Sequence, residues 1–262
     1  MIECRLAEAS VLKKIVEALK DLVTDAAFEF SENGLQLQAM DSSHVSLCYL
    51  QLLSTGFEHF RCDKESSLGV SLPNLAKVLK CANNDDTLTL KAKDEPDVIS
   101  LVFESKKQDC IKDFDMKLMD LEQEQLAIPD TEYKSKVTIP ADEFRRIIAD
   151  LQVLGDTCKI TAEKAGVRFA VEGDVGKANI TLKPGEAADE EGGKSVNIDV
   201  EEAVELRFAL RYLNYFAKAT PLAESVELSM SKDVPLLVEY KMGEIGAIQY
   251  YLAPKIDEED EE

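Results

Sequence analysis

The chain has 262 residues and a formal net charge of −21, because 51 Asp and Glu outnumber 30 Lys and Arg. Hydrophobic residues make up 45% of the chain, which is enough for packed cores and argues against wholesale disorder. No apolar run approaches the ~20 residues that span a membrane, and the N-terminus has no signal-peptide pattern. We therefore expect a soluble protein with room for two ordinary domains.

The cysteines predict reduced thiols. No two of them form a C-x-x-C pair, and they stand at positions 4, 48, 62, 81, 110 and 158. In a chain of this length the pattern is typical of a cytosolic or nuclear protein and not of a disulfide framework.

Four segments with helical spacing interrupt a succession of short strands. Each places apolar residues three or four positions apart, and in chain order they cover residues 9–23, 72–81, 141–152 and 209–221. Ser10 is the expected cap of the first helix, and Pro221 ends the fourth. Strands are predicted where apolar and polar residues alternate, as at 35–40, 87–92, 194–199 and 225–230.

The order of these elements predicts a tandem duplication. Each half has a helix, several strands, a second helix and several more strands, and the halves are offset by 132 to 137 residues. We expect an α+β protein with domains at 1–119 and 135–256, a surface connector at 120–134 and an acidic tail at 257–262. Leu126, Ile128 and Tyr133 are unusually apolar for a solvated connector.

Positive charge is concentrated on the predicted helices. Their 50 residues carry nine basic and five acidic side chains, a net charge of +4, which leaves −25 for the other 212 residues. This pattern favours one basic surface on an acidic body. The alternative is that these are ordinary solvated helix faces, on which Lys and Arg are common.

Known catalytic and metal-binding motifs are missing from the sequence. It contains no G-x-S-x-G and no H-E-x-x-H, and only two His. Gly193-Lys194-Ser195 resembles the end of a phosphate-binding loop, but Ala188 stands where the first glycine is required and the preceding segment is acidic. We therefore expect no enzyme, no metal and no cofactor.

Several segments resemble the proliferating cell nuclear antigen family of eukaryotic sliding clamps. The clearest are Asp41-Ser-Ser-His-Val-Ser-Leu47, Leu118-Met-Asp-Leu121, Phe208-Ala-Leu-Arg-Tyr-Leu-Asn214, Lys218-Ala-Thr-Pro-Leu222 and Tyr250-Tyr-Leu-Ala-Pro-Lys-Ile256. The similarity is colinear from Met1 to the acidic tail. It implies two topologically equivalent domains of the DNA-clamp fold in a nuclear homotrimeric ring, with helices lining the channel and antiparallel sheets outside.

The resemblance implies that basic helix residues neutralise the phosphates of encircled duplex DNA without reading its sequence. The DNA-facing residues carried over are Lys13, Lys14, Lys20, Lys77, Lys80, Arg146, Arg211 and Lys218. Ala149 departs from the family, which often has a basic residue there. Arg145 is a weaker candidate, because its helical phase differs from that of Arg146 by about 100°.

The resemblance also implies a hydrophobic groove under the connector that binds a short aromatic-bearing motif. The expected partners are the replicative polymerase, clamp loader, flap endonuclease and DNA ligase. The groove residues would be Met40, His44, Val45, Leu47, Leu126, Ile128, Pro129, Tyr133, Pro235, Tyr251, Leu252, Ala253 and Pro254.

Subunit contacts and a modification site follow from the same resemblance. Edge strands near 110–117 and 175–183 would join neighbouring subunits through Cys110, Phe114, Lys117, Val175, Lys177, Asn179 and Lys183. Lys164 falls on the family's ubiquitin- and SUMO-acceptor position. Two alternatives stay open: a subunit of a heterotrimeric checkpoint-type clamp, and an acidic enzyme whose site carries no known motif.

Overall fold

A computed structural model describes residues 1–94, 96–121, 126, 128, 131–185 and 195–256. The chain divides into two compact units. Unit 1 comprises Met1–Ser42, Cys48–Ala127 and Met242–Ile248, and unit 2 comprises Ser43–Leu47, Ile128–Lys241 and Gln249–Glu262.

The first half of the chain alternates strands with two helices. Its elements are β1 (Ile2–Leu6), α1 (Ala9–Leu19), β2 (Asp25–Ser31), β3 (Gly34–Met40), β4 (Ser46–Leu53), β5 (His59–Cys62), β6 (Ser66–Ser71), α2 (Leu72–Leu79), β7 (Thr87–Ala92), β8 (Val98–Glu104) and β9 (Ile111–Lys117).

The second half repeats the same order of elements. They are β10 (Ser135–Pro140), α3 (Ala141–Gln152), β11 (Thr157–Glu163), β12 (Gly166–Gly173), β13 (Gly176–Leu182), β14 (Asn197–Val200), β15 (Val204–Ala209), α4 (Leu210–Ala217), β16 (Ser225–Met230), β17 (Leu236–Lys241) and β18 (Gly246–Leu252). Short 3₁₀ turns stand at Ser54–Gly56, Thr220–Leu222 and Gly243–Ile245.

The two units also share their strand order. Unit 1 has one sheet in the order β5-β1-β7-β8-β9 and another in the order β4-β3-β2-β6. In unit 2 the corresponding orders are β14-β10-β16-β17-β18, where β18 belongs to unit 2 from Gln249 onward, and β13-β12-β11-β15. Neighbouring strands pair antiparallel, for example β1 with β7 and β10 with β16. The predicted α+β fold with two equivalent halves is therefore confirmed.

Each helix begins at a backbone hydrogen bond to the residue just before a strand. Ala9 N donates to Asp86 O at 2.7 Å and Leu72 N to Thr24 O at 2.9 Å. In unit 2 the equivalent bonds are Ala141 N to Glu224 O at 2.9 Å and Leu210 N to Asp156 O at 2.8 Å. These bonds satisfy donors that a helix N-terminus leaves unpaired.

Two details of the predicted helices were wrong. Ser10 is not a cap: it lies inside α1, and its hydroxyl donates to the Glu8 carboxylate at 3.2 Å. Glu8 stands at the cap position, but its side chain makes no capping hydrogen bond. The first and fourth helices end at Leu19 and Ala217, several residues early. Leu22 continues the helical spacing and is buried beyond the end of α1, which explains the overestimate.

The cores are built from the predicted apolar faces. Leu12, Ile15 and Leu19 of α1 are buried in unit 1, and Phe144 and Ile147 of α3 in unit 2. All six cysteines are free thiols. Within the described ranges, no helix has the length and apolar character needed to cross a bilayer.

Replacing Gly246 with Ala should destabilise the fold by ~2 kcal/mol or more, because a side chain would be forced into a strained and occupied position. Gly246 has φ +144°, and a Cβ there would lie 1.9 Å from the carbonyl oxygen of Gln51. Gly243→Ala is the matched control: its φ is +61° and nothing lies within 4 Å, so a loss of about 1 kcal/mol is expected. Urea unfolding measures both, and equal losses would contradict the packing argument.

Candidate nucleic-acid interface and partner surfaces

The predicted basic residues lie on two packed helix pairs. Helix α1 packs against α2 in unit 1, and α3 packs against α4 in unit 2. Each helix buries its apolar side, so its Lys and Arg lie on the remaining faces. These basic residues differ in their hydrogen bonds, ion pairs and aromatic contacts, and therefore in how readily each could contact a phosphate.

On α1, two of the three predicted lysines are already engaged. Lys13 is half-buried, and its Nζ donates to Ala82 O at 2.5 Å and to Asn84 Oδ1 at 3.2 Å. Lys20 pairs with Glu17 one turn earlier at 2.7 Å. Lys14 is exposed. Lys13 therefore holds the segment after α2 in place, besides contributing charge.

On α2, the two lysines stand without any acidic residue on their own helix. Lys77 and Lys80 are both exposed. The Nζ of Lys77 lies 3.3 Å from the neutral Asn74 Oδ1. Lys80 is the residue at the C-terminal cap of the helix, where a positive charge is favoured by the helix dipole.

On α3, carboxylates of the same helix neutralise both arginines. Arg146 lies 2.6 Å from the nearer Glu143 oxygen, and Arg145 lies 3.1 Å from Asp142. Ala149, at the position where the resemblance implied a basic residue, is exposed and adds no charge. The predicted DNA-facing Arg146 is thus charge-compensated.

On α4, two basic residues contact aromatic rings of the same helix. The Arg211 guanidinium lies 4.8 Å from the Tyr212 ring centroid, and the Lys218 ammonium lies 5.4 Å from that of Tyr215. Cation–π contacts orient a cation without cancelling its charge. Helices α2 and α4 therefore contain basic residues and no acid of their own, whereas the cations of α1 and α3 are partly or fully balanced by acids of the same helix.

In unit 1, the groove prediction rests on Met40 and Leu126. Met40, at the end of β3, is half-buried, and the Leu126 side chain is 42% exposed. The backbone of Leu126 is held by the side-chain amide of Gln38, two residues before Met40. Sequence reasoning missed Gln38, because a polar residue at alternate positions of a strand resembles an ordinary solvent-facing one.

In unit 2, three predicted groove residues line one depression of about 540 Å³. They are Ile128, Tyr133 and Tyr251, and mostly polar or charged side chains of β10, β16, β17 and β18 line the rest of it. The Tyr133 hydroxyl donates to Pro235 O at 3.1 Å. Burial, and secondarily Tyr251, raises the pKa of Tyr133 to about 12, so the hydroxyl keeps its proton and remains a donor near neutral pH.

The remaining groove residues divide by exposure. Those at least partly exposed are His44, Val45, Leu47, Pro235, Ala253 and Pro254. His44 adopts φ 56°. Leu252 departs from the prediction: its side chain is fully buried and belongs to the core of unit 2. Pro129 lies outside the described residues.

The predicted subunit contacts fall on two strands that end their sheets. β9 is the last strand of its sheet in unit 1, and β13 is the last strand of its sheet in unit 2. Phe114 is half-buried and packs on Phe103, whereas the exposed residues of the predicted set are Cys110, Lys117, Val175, Lys177, Asn179 and Lys183. Lys164 is exposed in the turn between β11 and β12.

Family models match nearly the whole chain. Residues 1–126 match the model of the proliferating cell nuclear antigen N-terminal domain. Residues 127–255 match the model of the C-terminal domain of the same family. The boundary between the two matches lies within the apolar connector segment around Leu126 and Ile128.

The difference in charge compensation between helices should appear in direct DNA affinity. Lys77→Ala with Lys80→Ala should weaken binding to a short duplex and flatten the salt dependence, by about 0.9 in log–log slope for each lost phosphate contact. Arg145→Ala with Arg146→Ala removes the same charge but should have the smaller effect, because Asp142 and Glu143 already compete for those guanidiniums. Fluorescence anisotropy across a salt series measures both. Equal effects would show that the intrahelical pairs open at no cost.

Proposed function

Because this chain belongs to the proliferating cell nuclear antigen family of DNA sliding clamps, we propose that it is a non-catalytic processivity factor that encircles duplex DNA as a homotrimeric ring in the nucleus. The observation that carries the ring is the pair of unlike strand edges, β9 in unit 1 and β13 in unit 2. Unlike edges on one chain support head-to-tail contacts, which close into a ring when the rotation between subunits permits.

The repeat supports pairing of these particular edges between chains. The counterpart of β9 in the second half is β18, and the counterpart of β13 in the first half is β4. Within unit 1, the start of β18 lies against β4, since Gly246 is packed on the Gln51 carbonyl. An equivalent association of β9 with β13 of the next chain would remove two open edges that otherwise favour aggregation.

The distribution of charge supports the proposal that the helices face the encircled DNA. The chain is strongly acidic overall, yet α2 and α4 carry basic residues and no acid. Such residues neutralise phosphates without reading bases, which a sliding protein requires. The acidic remainder disfavours DNA elsewhere on the protein.

Partner recruitment is proposed through the groove residues. Leu126 is apolar and substantially exposed, and Ile128, Tyr133 and Tyr251 line a depression in unit 2. Exposed apolar and aromatic residues of this kind suit the aromatic anchors of a short helical motif. The proposed partners are the replicative polymerase, clamp loader, flap endonuclease and DNA ligase, and Lys164 is the proposed acceptor of ubiquitin or SUMO.

A circular-DNA experiment tests the clamp. Loaded onto nicked plasmid by a clamp loader, the wild-type protein should stay with the circle during gel filtration and leave once the plasmid is linearised. Asn179→Pro should abolish retention, because proline in β13 removes a backbone N–H that could donate to a neighbouring strand. It should also reduce the solution mass from that of a trimer, three times 29.1 kDa, to that of a monomer. Asp199→Pro in the edge strand β14 is the control and should stay trimeric.

Two results would contradict the clamp proposal. Retention that survives linearisation would indicate ordinary DNA binding and not encirclement. A wild-type protein that stays monomeric alone but trimerises with related chains would favour the heterotrimeric checkpoint-type clamp.

Truncating the groove should weaken partner binding without disturbing assembly. Leu126→Ala with Ile128→Ala should reduce the binding free energy of an aromatic-bearing motif peptide by ~2 kcal/mol or more, as hot-spot truncations commonly do. Val153→Ala, at another exposed apolar residue, should leave affinity unchanged. Calorimetry on the purified trimer measures this, and full affinity in a folded double variant would remove the groove from the proposal.

A further inference from the structure

We propose that Gln38 is a positioning residue of the partner groove, and that its side-chain amide holds the backbone of Leu126 so that the leucine side chain is presented to partners. This inference rests on the proposed recruitment function. It concerns a residue that lies outside the set carried over from the family and that itself does not need to touch the partner.

A single side chain satisfies both backbone polar groups of Leu126. Gln38 Nε2 donates to Leu126 O at 2.8 Å, and Leu126 N donates to Gln38 Oε1 at 2.7 Å. The arrangement reproduces the two-bond exchange of an antiparallel strand pair, with a primary amide in place of a neighbouring backbone. Only a side chain with both a donor and an acceptor of this reach can make both bonds, which limits the choice to glutamine.

The anchor belongs to a paired strand, and the anchored residue is partly exposed. Gln38 lies in β3, which has β4 on one side and β2 on the other. Its strand neighbours Leu37 and Ala39 are buried in the core of unit 1. The Leu126 side chain, by contrast, is 42% exposed. The amide therefore fixes the backbone of a residue whose apolar side chain is left uncovered.

Fixing Leu126 in advance should increase the affinity for partners. When a partner binds a segment that is not held in advance, the backbone of that segment must be ordered at the moment of association, and this ordering reduces affinity. Two hydrogen bonds from a core strand supply part of that order before the partner arrives. The chain has a second fixed point in unit 2, where Tyr133 donates to Pro235 O.

Gln38→Met tests the inference, because it keeps the length of the side chain and removes both hydrogen bonds. In calorimetry on the purified full-length trimer, the substitution should reduce the affinity for an aromatic-bearing motif peptide at least tenfold. It should also accelerate hydrogen exchange at the Leu126 amide while solution mass and thermal midpoint stay close to wild type. Gln36→Met, on the same strand and face, is the matched control and should change neither quantity.

Unchanged peptide affinity in a folded Gln38→Met trimer would overturn the positioning role. If that variant fails to assemble, Gln38→Glu decides: it retains the acceptor for Leu126 N but loses the donor to Leu126 O, and unaltered peptide affinity in this variant would equally overturn the role. The exchange measurement needs no peptide, so it separates the two proposals. Should the wild type bind no peptide, recruitment fails, while exchange at Leu126 still supports or overturns the anchor.

Discussion

Four backbone hydrogen bonds determine where the helices lie, and the arrangement of charge depends on them. The first N–H of each helix donates to the carbonyl of Asp86, Thr24, Glu224 or Asp156, and each acceptor immediately precedes a strand of the same unit. The helices have no side-chain caps, so these bonds perform the role that a cap would. With its start fixed beside a strand, each helix buries its apolar stripe in the core of its unit. Its other face is then left to solvent and can carry charge without affecting the core.

The exposed faces of the two helices in each unit carry different combinations of charged residues. Acids one turn before Lys20 and Arg146 balance those cations within α1 and α3, whereas α2 and α4 have no acid at all. Exposed pairs of this kind contribute little to stability, so their main effect is on the field outside the helix. Each unit thus sets a helix that contains its own acids beside a helix that contains none. For a sliding clamp, cations that are held to different degrees avoid a single tightly bound position on DNA.

Periodicity in the sequence was sufficient to predict the repeat and most elements, because burial of one face of a helix or strand produces a regular spacing of apolar residues nearby in the sequence. The strand at 225–230 and the helix at 141–152 match the observed bounds. Ser10 was misassigned because the partner of the helix start is a carbonyl 77 residues away, and a local pattern contains no such information. Gln38 was missed for the same reason: its hydrogen-bonding partner lies 88 residues further along the chain. The groove and subunit residues were reached only through resemblance, since exposed apolar residues have no periodic signature.

The helix face and the partner surface of unit 2 are linked through the alternation of one strand. In β18, Tyr251 points outward to the depression, while Tyr250 and Leu252 are buried on the other side. Tyr250 stacks on Phe216 of α4 with ring centroids 4.5 Å apart, and α4 carries Arg211 and Lys218. One layer of core side chains therefore separates the cationic helix from the proposed partner surface. Because interiors are close-packed, a change at Tyr250 or Phe216 would alter both faces together, so the two functions can be separated only by changing residues that point outward.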